Sequence, residues 1–138
     1  MSSEHTICPY QSQCGGCPGM DRTHAEQLER KQDWVQRTVN HSVDVVIPSP
    51  RSMAYRARIR LVPDDRGRLG YHPPRSHDVL AIDNCAVARE EINRALAASP
   101  SVPGSVDHVE FRSDGERVVV ALDTAVRRRE RVFSWASA

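Results

Sequence analysis

Four cysteines restrict what this chain can become more than any other feature. They stand C-x5-C-x2-C at Cys8, Cys14 and Cys17, and sixty-seven residues separate Cys17 from a lone Cys85. Three thiols on one short loop and a fourth from a distant element can surround a compact tetrahedral centre. Two thiolates three positions apart reach the same centre only where the backbone between them turns tightly. Gly15-Gly16 permits that turn and brings amide N–H groups close to sulfur. Zinc and iron–sulfur centres both use four thiolates, so spacing alone leaves the choice of metal open. Unrelated buried cysteines would not be expected to fall as C-x5-C-G-G-C. Disulfides belong to oxidising compartments, and Met1 to His5 shows no basic start leading into an apolar stretch. The expected location is therefore cytoplasmic. No apolar run approaches the ~20 residues of a membrane span, so no membrane association is expected.

The 138 residues suffice for one modest aliphatic core. The reading places a domain at 1–125, with its cysteine loop at 8–20, and a truncated helix or tail at 126–138. Thr23 and Glu26 form a capping box that starts a helix ending near Asn40. Ala25, Leu28, Val35 and Val39 share one face of it, with Trp34 at the margin. Val43 to Ile47 reads as a strand. Tyr55 to Val62 alternates strictly with period two. Asp64-Asp65-Arg66-Gly67 turns the chain into a partner strand at 68–72, and a further strand covers 78–82. A short helix is expected at 88–98, with Ile92, Ala95 and Leu96 inward. Strands at 106–112 and 117–122 flank Ser113-Asp114-Gly115-Glu116, a hairpin turn. Ala125 to Trp135 reads as a basic helix. The fold class is α+β: a small antiparallel or mixed sheet, helices packed on one side, and an N-terminal cysteine-rich loop.

Net charge is only +1, yet the charge is segregated. Residues 51–77 hold seven arginines and two aspartates, and residues 78–116 hold eight carboxylates and three arginines. On the strand from Tyr55, Arg56, Arg58 and Arg60 face one way, and Tyr55, Ala57, Ile59 and Leu61 the other. Three guanidinium groups on one face need anions opposite them. A phosphate backbone is one candidate, and the acidic second half of the chain is another. Tyr71 and His72 are candidates for stacking on a base, though a lone aromatic on a sheet is more often packing. His5, His24, His41 and His108 share no metal-site spacing. Asp64-Asp65 reads as turn chemistry.

Taken together, Cys8-Pro9-Tyr10, Cys14-Gly15-Gly16-Cys17, Glu26 to Lys31, Tyr55-Arg56-Ala57-Arg58, Leu69-Gly70-Tyr71 and Ser76 to Cys85 resemble the iron–sulfur segment of bacterial S-adenosylmethionine-dependent RNA uracil-5-methyltransferases. The similarity runs in order from residue 8 to about 96, and more weakly to Leu122. The resemblance implies a [4Fe–4S] cluster on Cys8, Cys14, Cys17 and Cys85, in a domain that helps hold rRNA or tRNA, with Arg56, Arg58 and Arg60 as RNA contacts. Where the family usually has Gln-His shortly after the third cysteine, this chain has Met20-Asp21. No G-x-G-x-G cofactor turn is present and no cysteine is left over as a nucleophile. The chain is therefore not expected to bind S-adenosylmethionine or to methylate RNA alone, and a separate methyltransferase chain is a candidate partner. The alternatives are a small structural-zinc module and an iron–sulfur redox sensor.

Overall fold

The computed structural model describes residues 8–124. The basic helix expected at Ala125 to Trp135, the tail at 126–138 and His5 lie outside them. The elements run α1 (His24–Val39), β1 (Arg58–Pro63), β2 (Leu69–Tyr71), β3 (Leu80–Ala81), α2 (Glu90–Ala97), β4 (His108–Ser113) and β5 (Val118–Asp123). The five strands form one sheet in the order β3-β2-β1-β4-β5, and every pairing is antiparallel. The fold is α+β. No helix among the described residues is long and apolar enough to cross a membrane.

Period-two alternation decides which face of the sheet is buried. Ile59 lies opposite Phe111, and Leu61 opposite Val109. Val120 of β5 extends that row beside Phe111. All five side chains are buried. The amphipathic helix α2 turns Ile92 and Leu96 toward the same core, where Ile82, Cys85 and Val87 also lie. One of the four cysteines is thus part of the hydrophobic core.

The turns follow their chemistry. The Asp64 carboxylate accepts hydrogen bonds from the amides of Arg66 and Arg68, at 2.9 and 2.8 Å, and Gly67 supplies the positive φ of 75°. Asp114 accepts from the amides of Glu116 and Arg117 ahead of the β4–β5 return, where Gly115 has φ 105°.

Helix α1 begins and ends as expected. The Thr23 hydroxyl accepts from the Glu26 amide, the Glu26 carboxylate accepts from the Thr23 amide, and Asn40 closes the helix in the left-handed region. Its apolar stripe behaves differently from expectation. No residue of α1 is buried: Leu28 is half-covered, while Ala25, Trp34, Val35 and Val39 are exposed. Polar ties hold the helix instead. Gln27 Nε2 donates to the Arg22 carbonyl, Gln32 Nε2 donates to the Val43 carbonyl, and the Val43 amide donates to Gln36 Oε1. Those ties also explain why Val43 to Ile47 is not a strand. Val43 spends both its carbonyl and its amide on the helix, and Val45 and Ile47 are left in solvent.

The β2–β3 pairing depends on a missing side chain. A Cβ at Gly70 would stand 1.9 Å from the Leu80 carbonyl oxygen, which is backbone and cannot swing aside. Gly70→Ala is expected to lower stability by at least about 2 kcal/mol in urea denaturation. Gly104→Ala, whose Cβ would meet nothing within 4 Å, should stay within about 0.5 kcal/mol of the parent.

Candidate functional site

The cysteine loop is a series of tight turns. The Gln11 amide donates to the Cys8 carbonyl at 3.0 Å, the Cys14 amide to the Tyr10 carbonyl at 2.7 Å, and the Met20 amide to the Cys17 carbonyl at 3.2 Å. Gly15 and Gly16 lie in a turn, and neither has a positive φ. At Gly15 a close approach also excludes a side chain. A Cβ there would stand 2.7 Å from Cγ of Pro74, so the loop lies directly on the β2–β3 connection. Met20, which departs from the family pattern, packs against the core, and Asp21 pairs with Arg22.

Three contacts bring this loop to Cys85. The Tyr10 hydroxyl accepts from the Asp83 amide at 3.1 Å. The stretch 54–56 runs beside 86–89: the Ala54 amide donates to the Ala86 carbonyl, the Arg56 amide to the Val87 carbonyl, and the Arg89 amide to the Arg56 carbonyl. The Arg56 guanidinium then reaches back to donate to the Gly16 carbonyl at 3.3 Å. A single arginine therefore ties the Cys14–Cys17 turn to the segment that follows Cys85.

None of the four thiols is in a disulfide. Burial pushes the Cys17 thiol up from its ordinary range, the Arg56 guanidinium pulls it down, and Cys85, Cys14 and Cys8 each push it up again. All three other cysteines are near enough for Cys17 to feel them. Among the described residues, however, no group of three or more His, Cys, Asp or Glu side chains is arranged to hold a metal ion. The thiols share a neighbourhood without forming a ligating shell. Tyr71 is part of it. Burial drives its phenol far above the ordinary value, and Cys85 adds to the rise. Tyr71 packs on the core and does not stand as an open platform for a base, whereas His72, its Nδ1 paired with the Asp78 carbonyl at 2.9 Å, stays exposed.

Reading the text missed Asn93, one turn into α2. Its Oδ1 accepts from the Cys85 amide at 2.9 Å, and its Nδ2 donates to the carbonyls of Cys85 at 3.1 Å and Ala88 at 3.4 Å. This side chain fixes the backbone on both sides of the Cys85 sulfur. Only its place on the inward side of a helix that begins a few residues after a cysteine could have signalled it.

The three arginines do not act alike. Arg56 lies outside β1, in an isolated parallel bridge with Ala88. Arg58 and Arg60 point outward from β1 and meet acidic partners. Arg58 pairs with Glu110 at 2.6 Å and Arg60 with Asp123 at 3.0 Å, while Arg112 shares Glu110. The hydrogen bond from Arg58 comes first in holding the Glu110 carboxyl below its usual range.

No family model matches the chain. In sequence it is 31% identical to the 23S rRNA (uracil(1939)-C(5))-methyltransferase RlmD of Dichelobacter nodosus, over 93% of this chain and 33% of that protein. It is likewise 31% identical to an uncharacterized RNA methyltransferase of Gloeobacter violaceus, over 71% of this chain and 24% of that protein. Its fold matches the crystal structure of the Pyrococcus abyssi tRNA (uracil-54, C5)-methyltransferase with a TM-score of 0.66 at 24% identity, covering 88% of this chain and 34% of that one. The chain spans about a third or less of the length of the curated relatives it matches.

Removing the Asn93 amide leaves a partly buried donor and acceptor at Cys85 without partners. Asn93→Ala should cost about 1–3 kcal/mol in urea denaturation. Asn93→Asp should recover only part of that, because a carboxylate accepts but does not donate.

Proposed function

Because this chain is related to the RNA uracil-C5-methyltransferases over a segment of about a third of their length, we infer that it is an iron–sulfur-binding, RNA-holding portion of a 23S rRNA or tRNA uracil-C5-methyltransferase-like protein. The observation that carries this reading is the ordered match to a 23S rRNA uracil methyltransferase across 93% of the chain. The cluster assigned is [4Fe–4S], on Cys8, Cys14, Cys17 and Cys85. Four uncrosslinked thiols are the donor chemistry such a cluster takes, although among the described residues they are not drawn together into a ligating shell. When bound, such a cluster would act as an inorganic crosslink between the N-terminal loop and the start of the α2 region. Arg56 holds the two cysteine-bearing segments beside one another, Asn93 fixes the backbone at Cys85, and Tyr71 packs on the core. In this reading the methyl-transfer step belongs to an S-adenosylmethionine-binding unit that these 138 residues do not supply, on a separate chain or a further segment. The compartment that fits RNA modification by a thiolate-held cluster is the cytoplasm.

RNA contact is assigned to Arg56, Arg58 and Arg60. The side chains of Arg58 and Arg60 remain 62% and 49% exposed despite their carboxylate partners. The Arg60–Asp123 pair, exposed on both sides, is worth no more than about 1 kcal/mol, so phosphate can displace that carboxylate at little cost; Glu110 is only 12% exposed but keeps Arg112 as a partner if Arg58 turns to phosphate.

Protein purified without oxygen should be brown, absorb broadly near ~400 nm and carry about four iron atoms per chain. Cys85→Ser should lose most of that iron. Colourless protein with one zinc per chain would replace the cluster with a structural zinc ion. In RNA titrations at several salt concentrations, Arg58→Gln with Arg60→Gln should weaken binding and reduce the salt slope by about 1.4. An unchanged slope would remove these two arginines from the interface.

A further inference from the structure

A groove of about 980 Å³ lies between α1, the end of the cysteine loop and the stretch leading into Arg56. Its lining includes Arg22, Arg30, Lys31, Arg37 and Arg56, against a single carboxylate, Asp33. Arg30 and Lys31 have no carboxylate partner among the described residues. Two aromatic side chains also line it. Trp34 is 64% exposed and Tyr55 46% exposed. An indole so open on a helix that buries nothing contributes little to folding. A basic track beside exposed rings is the chemistry that recognises unpaired nucleotides, with phosphates on the cations and bases on the π-faces. From His24 to Arg37 the helix runs roughly 20 Å, room for a few nucleotides.

The other large hollow of the molecule, about 1440 Å³ beside the β1–β2 turn, has a different character. Asp64, Asp65, Asp78, Asp107 and Asp123 outnumber Arg66 and Arg68 there, and Arg68 is already paired with Asp64 at 2.7 Å. A polyanion would be repelled.

We propose that the α1 groove binds a single-stranded stretch of RNA, with Trp34 and Tyr55 stacking on bases and Arg30, Lys31 and Arg37 contacting phosphates. This rests on the RNA-binding reading above and moves the main contact surface from the β1 face to α1. Arg56 belongs to both surfaces, and Cys17 is part of the lining of the groove. Unpaired RNA held here would therefore pass beside the cysteine site.

The test uses the full chain, purified without oxygen, and a labelled single-stranded RNA of about twelve nucleotides, alongside a duplex of the same length. Single-stranded RNA should bind more tightly than the duplex. In a Trp135→Phe background, RNA should quench the emission of Trp34. Trp34→Ala should weaken single-strand affinity about tenfold, while Trp34→Phe should retain most of it. Replacing Arg30, Lys31 and Arg37 together with Gln should lower the salt slope by about 2. Circular dichroism of each variant should match the parent, as expected for exposed positions. If the parent binds RNA but these variants leave affinity and slope unchanged, the groove is not the site and the broader reading survives. Equal affinity for the duplex, or RNA binding with no quenching of Trp34, would also overturn the groove. If the parent binds no RNA of either kind, the broader reading itself falls.

Discussion

The position of Cys85 inside the aliphatic core, tied across Arg56 to the Cys14–Cys17 turn, is the constraint on which the rest of this molecule depends. The sheet, α2 and the sulfur of Cys85 share one apolar volume, so folding of the core places that thiol. The loop carrying the other three cysteines lays only Tyr10, Cys17 and Met20 against that core. Its position is further set by local contacts: Gly15 on Pro74, the Tyr10 hydroxyl on the Asp83 amide, and the Arg56 guanidinium on the Gly16 carbonyl. The core thus supplies position, and hydrogen bonds supply register between two segments almost seventy residues apart in the chain.

The outward face of the sheet is organised by a different rule. Three arginines and two carboxylates on β1, β4 and β5 are interleaved so that each carboxylate meets at least one guanidinium. Segregation of charge along the text, basic in the middle and acidic later, is resolved when antiparallel pairing brings the two regions side by side. Both sequence-level candidates for the anions therefore have a place. Carboxylates occupy the face in the structure, and the exposure of Arg58 and Arg60 leaves both guanidinium groups within reach of phosphate.

Much of the fold was legible in the text, for identifiable reasons. Alternation in Tyr55 to Val62 marked β1 because a half-buried strand must alternate. Asp-Gly marked the β4–β5 turn, and Thr23 with Glu26 marked the start of α1, because those side chains satisfy backbone groups locally. Val43 to Ile47 misled because β-branched residues signal a strand only where a sheet edge is free, and the glutamines of α1 claim the backbone of Val43. The stripe of Ala25, Leu28, Val35 and Val39 misled differently: periodicity identifies a face but does not supply a partner for it. At the site, the cysteines and Arg56 were visible, whereas Asn93 and the Tyr10 hydroxyl were not. Their roles arise from contacts across eight and seventy-three positions, which local patterns do not encode.

The absence of any buried side chain on α1 has a consequence for how the molecule opens. A helix held by a capping box, an asparagine at its end and a few glutamine ties is a separate cooperative unit with its own small opening free energy. Its amide protons would exchange through detachment of that unit alone, while those of β1 and β4 wait for the whole core to melt. Any ligand that bridges α1 to the stretch around Tyr55 would join the two units, so the earliest sign of occupancy would be protection of helical amides rather than a change of shape.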